Sequence, residues 1–207
     1  MSKLQLKTLL IALAMASAST IAAPVSYTID PMHTYPSFEA DHMGMSYWRG
    51  KMTQNSGAVV LDKEAGTGTV DIAIDLASID FGLKALNAWA IGDKFFDVTK
   101  SPQAHYKGTL EKFVDGSPTQ VRGELTLHGH TQPVNLSITR FKCMPHPMLK
   151  REFCGADASG SFQRDAFGLN AGKDYGFNME VPCAFRSRQL QRSKRGRDTI
   201  VFTKPRC

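Results

Sequence analysis

The sequence predicts an all-β protein, an antiparallel β-barrel of about eight strands with one short helix near its mouth. Apolar and polar residues alternate with period two through most of the chain, most clearly over residues 70–75. Turn-forming Asn, Gly and Pro residues separate these runs, as in antiparallel sheets. A sandwich would fit the same pattern, but strands this numerous favour a barrel, because only closure leaves no strand edge exposed. An eight-stranded barrel can hold one small ligand.

Residues 123–138 predict two strands folded back on each other. Each strand alternates apolar with polar residues, and Gly129 and Pro133 lie between them, where they end a ladder. One face of this hairpin is therefore apolar and must be covered by other side chains or by a ligand. Its apolar positions are Leu125, Leu127, Val134, Leu136 and Ile138.

The single helical candidate spans residues 83–91. Leu83, Leu86 and Ala90 share one face there, and Gly92 can end the helix. Aromatic residues gather in and near it, namely Phe81, Trp89, Phe95 and Phe96.

Residues 1–22 are predicted to be a secretory signal peptide. Lys3 and Lys7 precede an apolar run over residues 9–16, and small residues follow it up to Ala22. A transmembrane anchor is the alternative, but the run is too short to span a bilayer. We therefore expect the mature chain to work in an oxidising compartment, the periplasm in a Gram-negative cell.

Positive charge is concentrated at the C-terminal end. The formal net charge is +6, and residues 183–207 contain eight Lys and Arg residues against Asp198. The rest of the mature chain is mildly acidic, which argues against nucleic-acid binding. We divide the chain into a signal peptide (residues 1–22), a barrel (23–181) and an atypical basic C-terminal tail (182–207). The tail would attract anionic lipid head groups and so give a peripheral membrane contact.

The chain has four cysteines. Cys143 and Cys154 flank a short Pro-containing loop between strand-like segments, so we expect them to form a disulfide in an oxidising compartment. Closing a loop of that size is worth about 3 kcal/mol in the chain-entropy model. Two free thiols are the alternative, and the pairing of Cys183 and Cys207 stays open.

No catalytic constellation stands out. The chain has neither a G-x-S-x-G elbow nor a Cys–His signature. His128 and His130 have a spacing that zinc can use, but they straddle a turn and have no third ligand at a recognisable spacing. We therefore predict that the protein is not an enzyme and binds no metal.

The apolar strand faces have two interpretations. They form either a packed core or a sleeve for a hydrocarbon chain, and the pattern alone does not choose between them. His42 lies on the same face as Phe38 and Ala40. It is either a hydrogen-bonded core residue or a contact for the polar head of a ligand.

A series of motifs resembles the YceI family. They are Ile29-Asp-Pro-Met-His33, Phe38-Glu-Ala-Asp-His42, Phe95-Phe-Asp97 with Ser101-Pro102, Leu125-Thr-Leu-His-Gly129 with Pro133-Val134, and Phe167-Gly168. The segment from Cys143 to Cys154 resembles the exported, proteobacterial branch of that family. The resemblance covers about residues 25–181. It implies a lipocalin-like antiparallel barrel that binds a polyisoprenoid, an isoprenoid quinone or a similar amphiphile, with no established catalysis.

The resemblance implies periplasmic transport or sequestration of an isoprenoid lipid, with no cofactor other than that lipid. Two other classes stay open: a non-catalytic interaction module with a filled core, and an enzyme in which His33 and His42 face one cavity with a carboxylate. Whether the protein forms a homodimer is also open. The predicted ligand-binding residues, most of them on apolar strand faces and the others around the helix, are Phe38, His42, Val70, Ile72, Ile74, Trp89, Phe95, Phe96, Tyr106, Leu125, Leu127, Leu136 and Ile138.

The chain departs from the family pattern in two places. The helix is apolar where the family's is studded with charge, which would make the mouth more attractive to lipid or bury the helix more deeply. After Val181 the sequence shows no strand alternation, as a shifted reading frame or a true basic extension would produce. We therefore expect residues 186–197 to lie outside the barrel, with an exposed strand edge near Val181.

Overall fold

The computed structural model describes residues 23–192, and the predicted signal peptide and residues 193–207 lie outside this range. The strands are β1 (Val25–Ile29), β2 (Tyr35–His42), β3 (Ser46–Met52), β4 (Asn55–Asp62), β5 (Thr67–Asp75), β6 (Ile79–Asp80), β7 (Gln103–Glu111), β8 (Gln120–Leu127), β9 (His130–Pro133), β10 (Leu136–Pro145), β11 (Glu152–Gln163) and β12 (Glu180–Gln191). The single α-helix of the described range, α1, spans Lys84–Ile91, and short 3-10 turns cover Leu76–Ser78, Arg164–Phe167 and Lys173–Tyr175.

Eight strands close into an antiparallel barrel, as the alternation of the sequence predicts. Their order is β1-β4-β5-β7-β8-β10-β11-β12, and β12 returns to pair with β1. The alternating apolar positions face inward and form the core. Helix α1 lies at one end of the barrel, and its last turn is capped by the Gly92 N–H, which donates to the Trp89 carbonyl. No helix within residues 23–192 is long and apolar enough to cross a membrane.

Strand β12 pairs with two successive segments of the N-terminal region. Its first half lies against β2, with Cys183 opposite Phe38, and its second half lies against β1, with Gln191 opposite Tyr27. The break between β1 and β2 is the turn at Asp30, whose carboxylate accepts hydrogen bonds from the Met32 N–H and the His33 ring. Beyond β2, strands β3 and β6 extend the sheet past the barrel wall.

The structure contradicts the predicted barrel boundary at residue 181. Residues 182–191 belong to β12, which pairs with β11 from Glu180 to Leu190 and with β2 and then β1 on its other side, so the barrel does not stop at an exposed edge near Val181. The inward positions are Val181, Cys183, Phe185, Ser187 and Gln189, and both arginines of the strand, Arg186 and Arg188, are exposed on the outside. The alternation is present, but it does not stand out in the sequence, because two of the inward residues, Ser187 and Gln189, are polar. Residues 193–207 of the predicted tail lie outside the described residues.

The end of the barrel remote from α1 is closed by side chains. The hydroxyl of Tyr27, which is fully buried, donates to the Glu152 carboxylate, and Lys63 Nζ lies 2.9 Å from the same carboxylate. Burial, together with the hydrogen bond to Glu152, raises the pKa of Tyr27. This cluster connects β1, β11 and the turn after β4.

The predicted disulfide between Cys143 and Cys154 is confirmed. The two residues lie opposite each other in the β10–β11 pair, near the closed end. Cys183 has a free thiol and is half-buried, and Cys207 lies outside the described residues.

The double pairing of β12 predicts that the barrel requires residues 183–192. Removing residues 183–207 should abolish cooperative thermal unfolding, because β1, β2 and β11 would all lose a partner strand. Removing only residues 193–207 keeps every described strand and is the matched control. Thermal unfolding followed by circular dichroism tests this. A cooperative transition in the longer deletion would contradict the role assigned to β12.

The disulfide should stabilise the β10–β11 hairpin. We expect the Cys143→Ala/Cys154→Ala double variant to lose about 2–4 kcal/mol of unfolding free energy, because its unfolded chain is less constrained. Urea titration with and without reductant measures this. Reductant should destabilise the wild type and leave the double variant unchanged. If the wild type is equally stable in reductant, the bond does not contribute.

Candidate functional site

Three neighbouring cavities follow one another from the mouth into the barrel. The mouth cavity, beside α1, has a volume of about 420 Å³ and is lined by residues including His42, Trp48, Trp89 and Phe177. The central cavity, of about 130 Å³, lies between Ile74, Leu125, Leu127 and Val181. The end cavity, of about 60 Å³, lies towards the closed end between Val59, Val70, Ile138 and Gln189.

Neighbouring cavities share wall residues. Phe38 and Phe95 line both the mouth and the central cavity. Tyr106, Leu136 and Phe185 line both the central and the end cavity. Three side chains from β7, β10 and β12 thus form the partition between the two inner cavities. A flexible chain entering at the mouth would meet the three cavities in succession.

The mouth cavity is surrounded by aromatic rings in mutual contact. Trp89 stacks on Phe95 with ring centroids 5.0 Å apart, and the His42 ring packs edge-on against Phe177 at 5.1 Å and against Trp48 at 6.2 Å. Trp89 of helix α1 is 45% exposed, so the apolar character of the helix does not bury it deeply. Trp48 of β3 is also partly exposed, at 39%. The mouth is a partly solvent-exposed aromatic surface that continues into the barrel.

The central cavity has walls of almost pure hydrocarbon. The hydroxyl of Tyr106 is turned away from it, because it donates to the Val134 carbonyl at 2.9 Å. The Cys183 thiol lies in the wall, and burial raises its pKa to about 11. At neutral pH the thiol is therefore protonated, and the central cavity has no ionised group except the nearby Arg164.

Arg164 lies at the junction of the mouth and central cavities and is 6% exposed. Its two terminal nitrogens donate to the carbonyls of Leu169, at 2.7 Å, and Ala171, at 2.6 Å. Desolvation lowers the pKa of Arg164, but a guanidinium stays protonated in proteins. Asp41 also borders the mouth cavity, and hydrogen bonds from the backbone N–H groups of Asn178 and Gly44 hold its pKa low. Through its hydrogen bonds to the Leu169 and Ala171 carbonyls, the buried Arg164 stabilises the loop after β11.

All predicted ligand-binding residues line one of the three cavities. Their use in binding remains a prediction, but period-two alternation placed the strand residues on the correct face. The mouth cavity is lined by His42, Trp89, Phe38 and Phe95, of which Phe38 and Phe95 also line the central cavity. The central cavity is further lined by Ile74, Phe96, Leu125, Leu127, Tyr106 and Leu136. Tyr106 and Leu136 also line the end cavity, together with Val70, Ile72 and Ile138.

The sequence reasoning missed several lining residues. Phe177 and Tyr175 were not assigned to the mouth, since they lie in a loop without periodicity. The β12 residues Cys183, Phe185 and Gln189 were missed because the strand itself was not recognised. Counting alternate positions onward from Val181 would have found all three.

The histidines do not form a cluster within residues 23–192. His33 is exposed and hydrogen-bonded to Asp30, so it does not share a cavity with His42. His128 and His130 flank the β8–β9 turn, as predicted, and both rings lie near Gly168. In the described range, one group has metal-ligand spacing, namely Cys143, Glu152 and Cys154. Its sulfurs are joined in the disulfide and cannot act as thiolate ligands.

The chain has relatives among curated proteins. A UPF0312 protein of Pectobacterium carotovorum is 30% identical over 122 residues, which are 58% of this chain and 63% of the relative. Protein YceI of Shigella flexneri is 29% identical over the same shares. The chain thus spans less than two thirds of the length of these relatives.

Solved structures share the fold. BcnA of Burkholderia cenocepacia superposes with a TM-score of 0.61 at 23% identity, covering 77% of this chain and 98% of BcnA. A polyisoprenoid binding domain from Saccharophagus degradans superposes with a TM-score of 0.59 at 16% identity, covering 81% of this chain and 99% of that domain. The family model of the YceI-like domain matches residues 27–186, which include all of the barrel except the first two residues of β1 and the last five of β12. The closed barrel, its cavities and this match together show that the chain belongs to the YceI-like family.

Proposed function

We propose that the protein binds an isoprenoid lipid inside its barrel and carries or sequesters it in the bacterial periplasm. The observation that carries the proposal is the succession of three apolar cavities behind an aromatic mouth. An elongated hydrocarbon suits this shape better than a compact ligand does, because it can occupy the cavities in sequence. Movement of the Tyr106, Leu136 and Phe185 side chains would join the two inner cavities.

The energetics support such a ligand. Transferring ten methylene groups from water to an apolar interior contributes roughly 8 kcal/mol before ordering costs. The walls of the central cavity offer almost no polar group that would disfavour a hydrocarbon. Membership of the YceI-like family and the fold shared with the polyisoprenoid binding domain of Saccharophagus degradans point to the same ligand class. An isoprenoid quinone belongs to that class.

Periplasmic location is part of the proposal. It rests on the signal-peptide pattern of residues 1–22 and on the Cys143–Cys154 disulfide, since disulfides persist in oxidising compartments. Contact of the basic C-terminal residues with anionic membranes would assist exchange of lipid.

The two rival classes are less well supported. An interaction module would have a filled core, whereas the barrel core contains cavities of about 130 and 60 Å³. An enzyme built on inward histidines would need His33 and His42 in one cavity, and His33 lies outside it. Binding rather than catalysis is therefore the function we propose.

Blocking the central cavity should remove the lipid. Ala104 lines this cavity and is buried, so Ala104→Phe would fill it without adding charge. The matched control is Ala73→Phe on the neighbouring strand β5, because Ala73 lies on the outer face and lines none of the three cavities. Native mass spectrometry of protein purified from the periplasmic fraction, followed by lipid extraction, measures the result.

We expect an isoprenoid adduct on the wild type and on Ala73→Phe, and at least tenfold less on folded Ala104→Phe. The mass of the protein itself reports whether residues 1–22 have been removed. A folded Ala104→Phe variant with its full lipid load would contradict the proposed site. An absence of isoprenoid from all three proteins would contradict the proposed function.

Cys183 provides a probe of cavity occupancy. Because its pKa of about 11 lies above that of an ordinary thiol, its thiolate fraction at pH 8 is lower by roughly two powers of ten. In a Cys207→Ser background, maleimide labelling of Cys183 should be slow and should accelerate about tenfold per pH unit up to the pKa. Delipidation should speed labelling and added isoprenoid should slow it again. Labelling as fast as that of free cysteine would show that the thiol is not in the cavity wall.

A further inference from the structure

The end cavity is lined by two polar side chains from β12, although most of its wall is apolar. Ser187 and Gln189 point inward from β12 and are 8% and 3% exposed. They lie opposite Ala156 and Cys154 of β11, and Gln189 also lies opposite Ile29 of β1. Most other lining residues of this cavity are apolar, Val70, Ile138 and Phe141 among them.

Their hydrogen bonds leave one donor group free. The Ser187 hydroxyl donates to the Gln189 amide oxygen at 2.9 Å. The Gln189 amide nitrogen has no hydrogen-bond partner in the described part of the chain. The other polar lining group, the Tyr106 hydroxyl, is already bonded to the Val134 carbonyl. This nitrogen is not fully enclosed by protein atoms, and it borders the end cavity, where a water molecule or a ligand can accept its hydrogen bond.

The location of the pair separates it from the rest of the binding site. The mouth also contains His42, Asp41 and Arg164, but Asp41 and Arg164 are already hydrogen-bonded to backbone groups. The Gln189 amide of the end cavity differs, because its nitrogen has no partner among the described residues. Ser187 and Gln189 also lie beyond the segment that matches the family model, which ends at residue 186.

We propose that Gln189, oriented by Ser187, binds an oxygen atom at the polar end of the ligand. This inference rests on the proposed isoprenoid-binding function. The ligand is then an isoprenoid with a hydroxyl or carbonyl group that lies at the closed end of the barrel, and its hydrocarbon chain runs through the central cavity to the aromatic mouth. The volume of about 60 Å³ is enough for such a terminal group, since a single water molecule needs only about 10–15 Å³ on this measure.

A competition experiment tests the subsite. Delipidated protein is equilibrated with equal amounts of geranylgeraniol and of the hydrocarbon with the same carbon skeleton but no hydroxyl group. The bound ratio is measured by extraction and mass spectrometry. We expect the wild type to prefer the alcohol by about three- to tenfold, the usual effect of one hydrogen bond. Gln189→Leu should remove the preference while still binding the hydrocarbon.

The control variant is Arg188→Leu, which introduces the same side chain at the neighbouring outward-facing position of β12 and should keep the preference. Equal binding of both probes by the wild type would overturn the subsite and leave the proposed function intact. An unchanged preference in Gln189→Leu would also overturn it and would assign the amide to an ordered water. Failure of the wild type to bind either probe would instead count against the proposed function.

A second measurement on the wild type determines which way the ligand lies. Both tryptophans of the chain, Trp48 and Trp89, line the mouth cavity, so their fluorescence reports on the ligand atoms there. Two isoprenoid alcohols are compared, one with bromine near the hydroxyl and one with bromine at the opposite end. We expect stronger quenching when bromine is at the opposite end. Stronger quenching by the first probe would place the polar end at the mouth and overturn the inference.

Discussion

Closure of the barrel depends on one strand. β12 is hydrogen-bonded to β11 on one side and to both β2 and β1 on the other, so it joins the last part of the chain to the first. The pairing has two consequences for the interior. It removes the strand edges that an open sheet would expose, and it places Cys183, Phe185, Ser187 and Gln189 in the walls of the cavities.

The sequence was most informative where each strand has one strongly apolar face. On β5 and β8 the parity of Ile72, Ile74, Leu125 and Leu127 was enough to predict which side chains face the interior. The fold class followed from the same pattern, because alternation repeated over many short runs has few solutions other than a closed antiparallel sheet. The disulfide was also predictable, since the two cysteines flank a single hairpin loop.

The sequence was least informative where packing depends on residues far apart in the chain. The second half of β12 was wrongly predicted to be a solvated tail. Its inward residues include the polar Ser187 and Gln189, so they do not form an apolar face, and the arginines that alternate with them make the segment resemble a basic tail. The division of the interior into separate cavities depends on Tyr106, Leu136 and Phe185, which lie on three different strands. No local sequence pattern predicts that these three side chains lie together between the two inner cavities. Arg164 was missed for a related reason, because its partners are carbonyls in an irregular loop.

The register of β12 also fixes where the barrel can be joined to other polypeptides. The Arg192 N–H donates to the Ser26 carbonyl, so the first and last described strands end side by side at the closed end. The mouth lies at the opposite end, beside α1 and the loop that precedes β12. A tether or a fused domain attached next to either of these strands would therefore emerge away from the mouth. Such a barrel could be anchored at a surface with its opening directed outward, free to meet whatever donates or accepts its ligand.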